Sequence, residues 1–240
     1  MTTGPAPRSS ATSSAALSAA ARAARLAAVL EHLLPPGVAA AAAVLGDDTS
    51  LLPAEAACVA DAVAARRREF AAGRRAARAA LARIGVVDAL PLLPDEDRVP
   101  RWPAGVIGSI SHGADVAVAA VTPAPRLRGL GVDVDGDAPL PDELHRMVLS
   151  EREQRSLVSI ATRALDLGAH TRLLFSIKES VYKCVFPLTR APFDFGDVDV
   201  EFVGVDGFVA HLGTRARFPP RAVRGRFAGE AGVILAVATV

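Results

Sequence analysis

Lys178 and Lys183 are the only lysines in a 240-residue chain whose other cations are arginine and histidine. They bracket an acid in Phe175-Ser176-Ile177-Lys178-Glu179-Ser180-Val181-Tyr182-Lys183. An ammonium is a compact point charge on a flexible stem, whereas a guanidinium is a planar fork. Two lysines kept beside a glutamate, in a chain that otherwise uses arginine, mark a place where a phosphate and a metal ion can be held together. The same spacing also makes an ordinary Glu179–Lys183 i,i+4 pair, worth about 0.3–0.5 kcal/mol to a helix. The segment points to chemistry only if other residues converge with it.

Asp133 and Asp135 lie two apart in Leu130-Gly131-Val132-Asp133-Val134-Asp135. On a strand the period of two puts both carboxylates on one face and Val132 and Val134 on the other. Like charges side by side call for a cation. Mg²⁺ suits them, because it is hard and takes one or two carboxylates together with substrate phosphates. An exposed strand end entering the turn Gly136-Asp137 is the plainer alternative. A basic cluster runs from Arg66 to Arg78. On an unbroken helix Arg67, Arg74 and Arg78 share a face, with Arg66 nearer Arg74 than the opposite side. Guanidinium forks match phosphate, although a solvated helix face has the same composition. Gly108-Ser109-Ile110-Ser111-His112-Gly113 is a small-residue turn whose amides and hydroxyls can bind phosphate, and its histidine is as readily structural. Gly-x-Ser-x-Gly, Walker A and Rossmann glycine patterns are absent.

These residues need a scaffold. Half of the chain is apolar, enough for a sizeable core. A net charge of +1 supplies no global basic field for nucleic acid or an acidic membrane. Cys58 and Cys184 show neither metal-ligand nor disulfide spacing, so a reduced, cytoplasmic setting is expected. No apolar run approaches the ~20 residues of a membrane span. Residues 1–24, rich in Ala, Ser and Thr, read as a disordered tail. A short helix or strand over 25–34 stops at Pro35-Pro36-Gly37. A helix over 53–84 stops at Gly85, with Gly73 able to bend or break it. A proline- and acid-rich loop follows over 87–105. Strands are expected at 116–121 and 130–135, helices at 141–148, 150–166 and 169–185, and strands at 198–203, 207–212 and 232–240. The pattern is α+β, with an N-terminal half over 25–125 and a C-terminal half over 126–240.

Four separated motifs occur in order. They are the arginine helix, Trp102-Pro103-x-Gly105-x-x-Gly108-Ser109-x-Ser111-His112, Gly131-Val132-Asp133-Val134-Asp135, and the lysine segment. Together they resemble the Sfp-type 4′-phosphopantetheinyl transferases, nearest the bacterial branch that includes the enterobactin-synthase EntD component. The resemblance covers about residues 60–200. It implies transfer of the 4′-phosphopantetheine arm of coenzyme A to a serine of an apo acyl or peptidyl carrier protein, with adenosine 3′,5′-bisphosphate released and Mg²⁺ bridging the pyrophosphate. It further implies a pseudo-dimer of two similar α+β halves with the site at their junction, acting as a monomer. By motif position, Asp133, Asp135 and Glu179 would bind the metal. Arg66 and Arg74 would clamp coenzyme A through its 3′-phosphate. Ser111 and His112 would lie beside the nucleotide, and Lys178 and Lys183 would face the phosphates. Glu179 would take the serine proton, directly or through a metal-bound water, with Lys183 as the alternative if burial or cationic neighbours depress its pKa. The chain departs from the family pattern at Asp135, usually glutamate. It also has no lysine in 87–101, where Arg98 and Arg101 stand instead. A Mg²⁺-dependent nucleotide phosphohydrolase and a non-catalytic coenzyme A- or carrier-binding module are the rival readings. Carrier proteins of fatty acid, polyketide, nonribosomal peptide and siderophore assembly are all compatible acceptors under this resemblance.

Overall fold

A computed structural model of the chain describes residues 18–88, 90–160, 167–219 and 221–240. Helix α1, Ala19–Leu33, begins at Ser18, whose hydroxyl accepts the Ala21 N–H. Leu26, Leu30 and Leu33 recur at helical spacing and are buried. Residues 18–24, expected in the tail, therefore enter the fold. Residues 1–17 lie outside the described residues. The helix expected over 53–84 is two helices, α2 at Pro53–Ala57 and α3 at Ala64–Arg83. The break falls at 58–63, not at Gly73. Gly73 stays helical and buried because α3 presses against the neighbouring sheet there. A Cβ at Gly73 would come within 3.1 Å of Ile110 Cγ2.

The first sheet is antiparallel and has the order β1-β3-β2, from β1 Ala39–Val44, β2 Val106–Gly113 and β3 Val116–Pro123. Every residue of β3 from Val116 to Thr122 is buried. Val116, Val118 and Ala120 join α1 in one core, while Ala119 and Val121 join Ala76, Ala77 and Ala80 of α3 in another. Apolar cover on both faces explains a strand with no polar alternation.

The second sheet is also antiparallel, in the order β4-β8-β7-β6-β5. Its strands are β4 Leu130–Gly136, β5 Val198–Val203, β6 Gly207–Leu212, β7 Ala222–Glu230 and β8 Val233–Thr239. Sequence patterning missed β1 and β7, and the stretch from Gly108 to Gly113 that it reads as a turn is part of β2, paired with β3 throughout. Alanine, glycine and arginine have little strand preference, so only pairing with β3, β6 and β8 makes these segments strands. Helices α4 Asp142–Val148, α5 Glu151–Ile160 and α6 Leu167–Thr189 complete the fold. The expected helix over 150–166 matches α5 as far as Ile160, and 161–166 lie outside the described residues.

Each sheet carries a long helix, α3 on the first and α6 on the second. Ile177, Val181 and Val185 of α6 pack against Phe208, Ala236 and Ala238. Gly131 lets the backbones of β4 and α6 touch, since a Cβ there would stand 1.9 Å from the Ser180 carbonyl oxygen. The two halves meet where β2 lies against β4. The Val132 N–H donates to Ser109 Oγ (3.1 Å), and a Cβ at Gly113 would lie 2.6 Å from the Val134 carbonyl oxygen.

Candidate active site

Helix α6 presents Arg172, Ser176, Glu179 and Lys183 at i, i+4, i+7 and i+11, one face of a helix. This face runs along β4. Arg172 NH1 pairs with Asp135 Oδ2 (2.6 Å), and its Nε donates to the Ala138 carbonyl (2.9 Å). Ser176 Oγ donates to Asp133 Oδ2 (2.8 Å), and Lys183 Nζ donates to Asp133 Oδ1 (2.6 Å). From the other half, Ser111 Oγ on β2 donates to the same Asp133 Oδ1 (2.8 Å) and accepts from Lys183 (2.8 Å). Asp133, Ser111 and Ser176 are buried. Asp133 is thus the point where β2, β4 and α6 converge.

Two cavities meet beside this point, and Asp133 itself lines the smaller one. The larger, about 880 Å³, is bounded by Arg66, Arg74, Arg98, Ser109, His112, Tyr182 and the Glu179–Lys183 turn of α6. The smaller, about 510 Å³, is bounded by Ser111, Asp133, Asp135, Arg172 and Phe175. Ile110, His112, Glu179 and Lys183 line both. The larger cavity lies at the junction of the halves and gathers arginines from α3 opposite a lysine from α6.

On α3, Arg66 donates to His112 Nε2 (2.8 Å) and pairs with Glu69 Oε2 (3.2 Å). A histidine that accepts from a guanidinium must be neutral at that nitrogen. Burial lowers the His112 pKa, with Arg66 and Lys183 adding to the effect against the opposing charges of Glu69 and Asp133. Arg74 is buried, lies 3.6 Å over the Phe70 ring and donates from Nε to the Leu92 carbonyl (3.0 Å). Burial brings its pKa down to about 10, opposed by Glu55, so it remains a cation at neutral pH. Burial pushes the Glu179 carboxyl above its ordinary value. Lys183 pulls it back, and Asp133 and Asp135 push it further up.

Lys178 is a correction. Its side chain is fully buried and turns away from both cavities. Nζ donates to Glu153 Oε2 (2.6 Å), the Val148 carbonyl (2.8 Å) and the Phe195 carbonyl (3.1 Å), so all three donors are used. Helical geometry explains the error, since adjacent residues point about 100° apart and Glu179 and Lys178 cannot face the same site. Arg172 and Ser176 are the site residues that sequence reasoning passed over. The polar stripe 172, 176, 179, 183 was the signal that could have found them. Of the two loop arginines, Arg98 lines the large cavity and Arg101 does not.

The donor set suits a hard divalent cation in kind, because three carboxylates, Asp133, Asp135 and Glu179, line the smaller cavity. It is not a closed cage. Among the described residues no group of three or more His, Cys, Asp or Glu is arranged to hold a metal ion. Lys183 and Arg172 occupy oxygens of the two aspartates instead, and Asp135 Oδ1 also accepts the Gly136 N–H (2.8 Å).

Comparison with known proteins decides what this arrangement belongs to. The family description "4′-phosphopantetheinyl transferase N-terminal domain" matches residues 54–122, and "4′-phosphopantetheinyl transferase superfamily" matches 129–237. The chain is 41% identical over 197 residues to 4′-phosphopantetheinyl transferase Svp of Streptomyces mobaraensis, covering 78% of each chain. It belongs to the 4′-phosphopantetheinyl transferases. The transferase is also 34% identical to PptT of Mycobacterium tuberculosis, over 77% of this chain and 83% of the relative. Enterobactin synthase component D of Salmonella typhi shares 38% over about half of each chain (49% and 47%). The family transfers phosphopantetheine from coenzyme A to carrier proteins, and the phosphohydrolase and binding-module readings are not favoured. Two matched domains and two antiparallel sheets, each carrying a long helix, accord with the α+β pseudo-dimer fold.

Proposed function

We propose that the large cavity takes coenzyme A and that the serine of an acyl or peptidyl carrier protein meets it beside Glu179. The observation that carries this reading is the convergence of Asp133, Ser111, Lys183 and Glu179 where the two cavities join. A cavity of about 880 Å³ is within the usual range for small-molecule sites. Arg66 and Arg74 supply the guanidiniums for the 3′-phosphate, with His112 beside the nucleotide. Lys183 faces the pyrophosphate from α6.

In the reaction the carrier serine oxygen attacks the phosphorus that bears the pantetheine arm. A new P–O bond forms, the bond to the bridging pyrophosphate oxygen breaks, and adenosine 3′,5′-bisphosphate leaves with that electron pair. Such transfer depends on positioning and charge neutralisation. Glu179 accepts the serine proton, since it stands at the seam of the two cavities where the serine meets coenzyme A. Lys183 has two carboxylates as neighbours, Asp133 and Glu179, not the cations its role as base would require. We assign it to offsetting phosphate charge. Mg²⁺, held by Asp133 and Glu179 with the shorter Asp135 beside them, would supply further neutralisation of the pyrophosphate. Asp135 is anchored to Arg172, which suits contact through water better than direct ligation.

The reading extends to a monomer working in the cytoplasm, without nucleic acid or membrane. Net charge is +1, and among the described residues no helix is long and apolar enough to cross a membrane. A relative named enterobactin synthase component D supports a carrier of siderophore or other secondary-metabolite assembly as acceptor. Intact-mass spectrometry of several apo carrier proteins with coenzyme A and Mg²⁺ tests the whole. One added phosphopantetheine arm is expected, lost with EDTA and with Glu179→Gln, while Glu179→Gln still binds coenzyme A. No added arm on any carrier rejects the acceptor assignment, and full turnover by Glu179→Gln rejects the base.

A further inference from the structure

Arg190 follows the last residue of α6 and reaches across to the other half of the molecule. Its NH1 pairs with Asp95 Oδ2 (2.7 Å) and Asp97 Oδ2 (3.0 Å). Both acids belong to a closed turn in the 87–105 segment. Asp95 Oδ1 accepts the N–H groups of Asp97 (3.0 Å) and Val99 (2.9 Å), the Asp95 N–H donates to the Val99 carbonyl (2.9 Å), and Pro94 bridges Pro100. The root of the turn is held separately. Buried Glu55 accepts the Leu92 N–H (2.9 Å) and Arg74 donates to the Leu92 carbonyl (3.0 Å). Pro94, Asp97, Arg98, Val99 and Pro100 form a wall of the large cavity, facing the α6 turn that carries Glu179 and Lys183. Arg190 itself is not among the cavity's lining residues.

We propose that Arg190 is a positioning residue: by clasping Asp95 and Asp97 it ties the tip of the 94–100 turn to the helix bearing Lys183, and so sets the width of the cavity and the affinity for coenzyme A. The proposal rests on the reading that this cavity binds coenzyme A. Without the clasp the turn keeps its own hydrogen bonds and its Leu92 anchor, so it remains folded but is no longer held against α6. Binding then bears the cost of ordering it, which appears in KM and not in kcat.

The test compares Arg190→Ala, Arg190→Lys and Asp95→Asn with the wild type. Readouts are kcat, KM for coenzyme A, and calorimetric binding of coenzyme A and of adenosine 3′,5′-bisphosphate. Arg190→Ala is expected to raise KM and Kd about three- to tenfold, the scale of exposed ion pairs lost from one state, with kcat within about twofold. Asp95→Asn, at the clasp partner that does not line the cavity, should do the same more weakly, and Arg190→Lys should restore most of the loss. Trp102, the sole tryptophan, packs on Gly108 just beyond the turn, and its emission in the free enzyme should shift in Arg190→Ala. Unchanged Kd and KM in Arg190→Ala overturn the proposal, as does a fall in kcat with KM unchanged. Arg66→Ala separates the two readings. If it weakens binding and Arg190→Ala does not, the clasp alone fails. If neither does, coenzyme A does not bind in this cavity and both fail.

Discussion

Lys178 and Lys183 are five residues apart on α6 and meet opposite environments. Lys183 is partly open and lies between Asp133 and Glu179 at the seam of the two cavities. Lys178 is sealed against Glu153, which also accepts the N–H groups of Ser150 (2.9 Å) and Val200 (2.9 Å). Ser150 and Glu153 form a capping box at the start of α5, so one ammonium fastens α6 to α5 and β5. Burial lowers the Lys178 pKa while Glu153 opposes the fall. Lys178→Met should cost about 3–5 kcal/mol of unfolding free energy in urea, because it strands a buried carboxylate. Lys183→Gln should leave the urea midpoint less changed, because water can reach the partly open Lys183 position and Asp133 keeps the hydroxyl donors of Ser111 and Ser176, while reducing kcat by about a hundredfold or more. Equal losses of stability in the two variants would contradict this division of labour. The lysine count singled out both residues, but the helical period separates them.

At the scale of elements, site geometry depends on how closely β4 approaches α6. Gly129 and Gly131 lie against the Cys184 carbonyl and the Ser180 carbonyl, and this contact sets the register that brings Asp133 to Ser176 and Lys183. Gly131→Ala puts a methyl into a backbone carbonyl, and overpacking of this kind costs about 1–3 kcal/mol. The expected outcome is a lowered melting temperature together with a drop in kcat, since shifting α6 moves Lys183 and Glu179 off Asp133. A variant with a lowered melting temperature and unchanged kcat would show that the close approach serves packing alone. Sequence periodicity located β4 and α6 well, because one alternates and the other is long and amphipathic. It did not locate β1, β2 or β7, whose alanines, glycines, serines and arginines have little intrinsic reason to extend, nor the α2–α3 break, which falls where no glycine or proline interrupts residues 58–63.

For the whole molecule, the large cavity exists because two helix-on-sheet halves meet edge to edge at β2 and β4. Cys58 is exposed and belongs to this cavity's rim, while Cys184 is buried, with its thiol pushed up to about 12. One thiol per native chain should therefore react with a maleimide, and adenosine 3′,5′-bisphosphate, which carries no thiol of its own, should slow that reaction. Peptide mapping that finds Cys184 modified as fast as Cys58 would contradict the packing of α6. Unaltered labelling at saturating bisphosphate would contradict nucleotide binding at that rim. The Arg190 clasp belongs to this scale as well, since it spans the halves.

The sequence by itself determined which chemistry was in prospect. The Asp133/Asp135 alternation, the acid between two lysines, the arginine pair Arg66 and Arg74 and the Ser111-His112 segment are local patterns whose residue types define charge and hydrogen-bonding capacity wherever they lie. Their order along the chain also carried the family resemblance, which the comparisons bear out. Only the tertiary structure decided which of these groups meet. Asp133 touches Ser111 across the halves, Arg172 holds Asp135, Lys178 is withdrawn into the core, and Arg190 reaches the turn at 94–100. Residues 22 to 95 positions apart come within hydrogen-bond distance in these contacts, and no local periodicity encodes that. Where a side chain spends its charge is set by burial and by neighbours from other elements, and both arise only when the sheets and helices have packed.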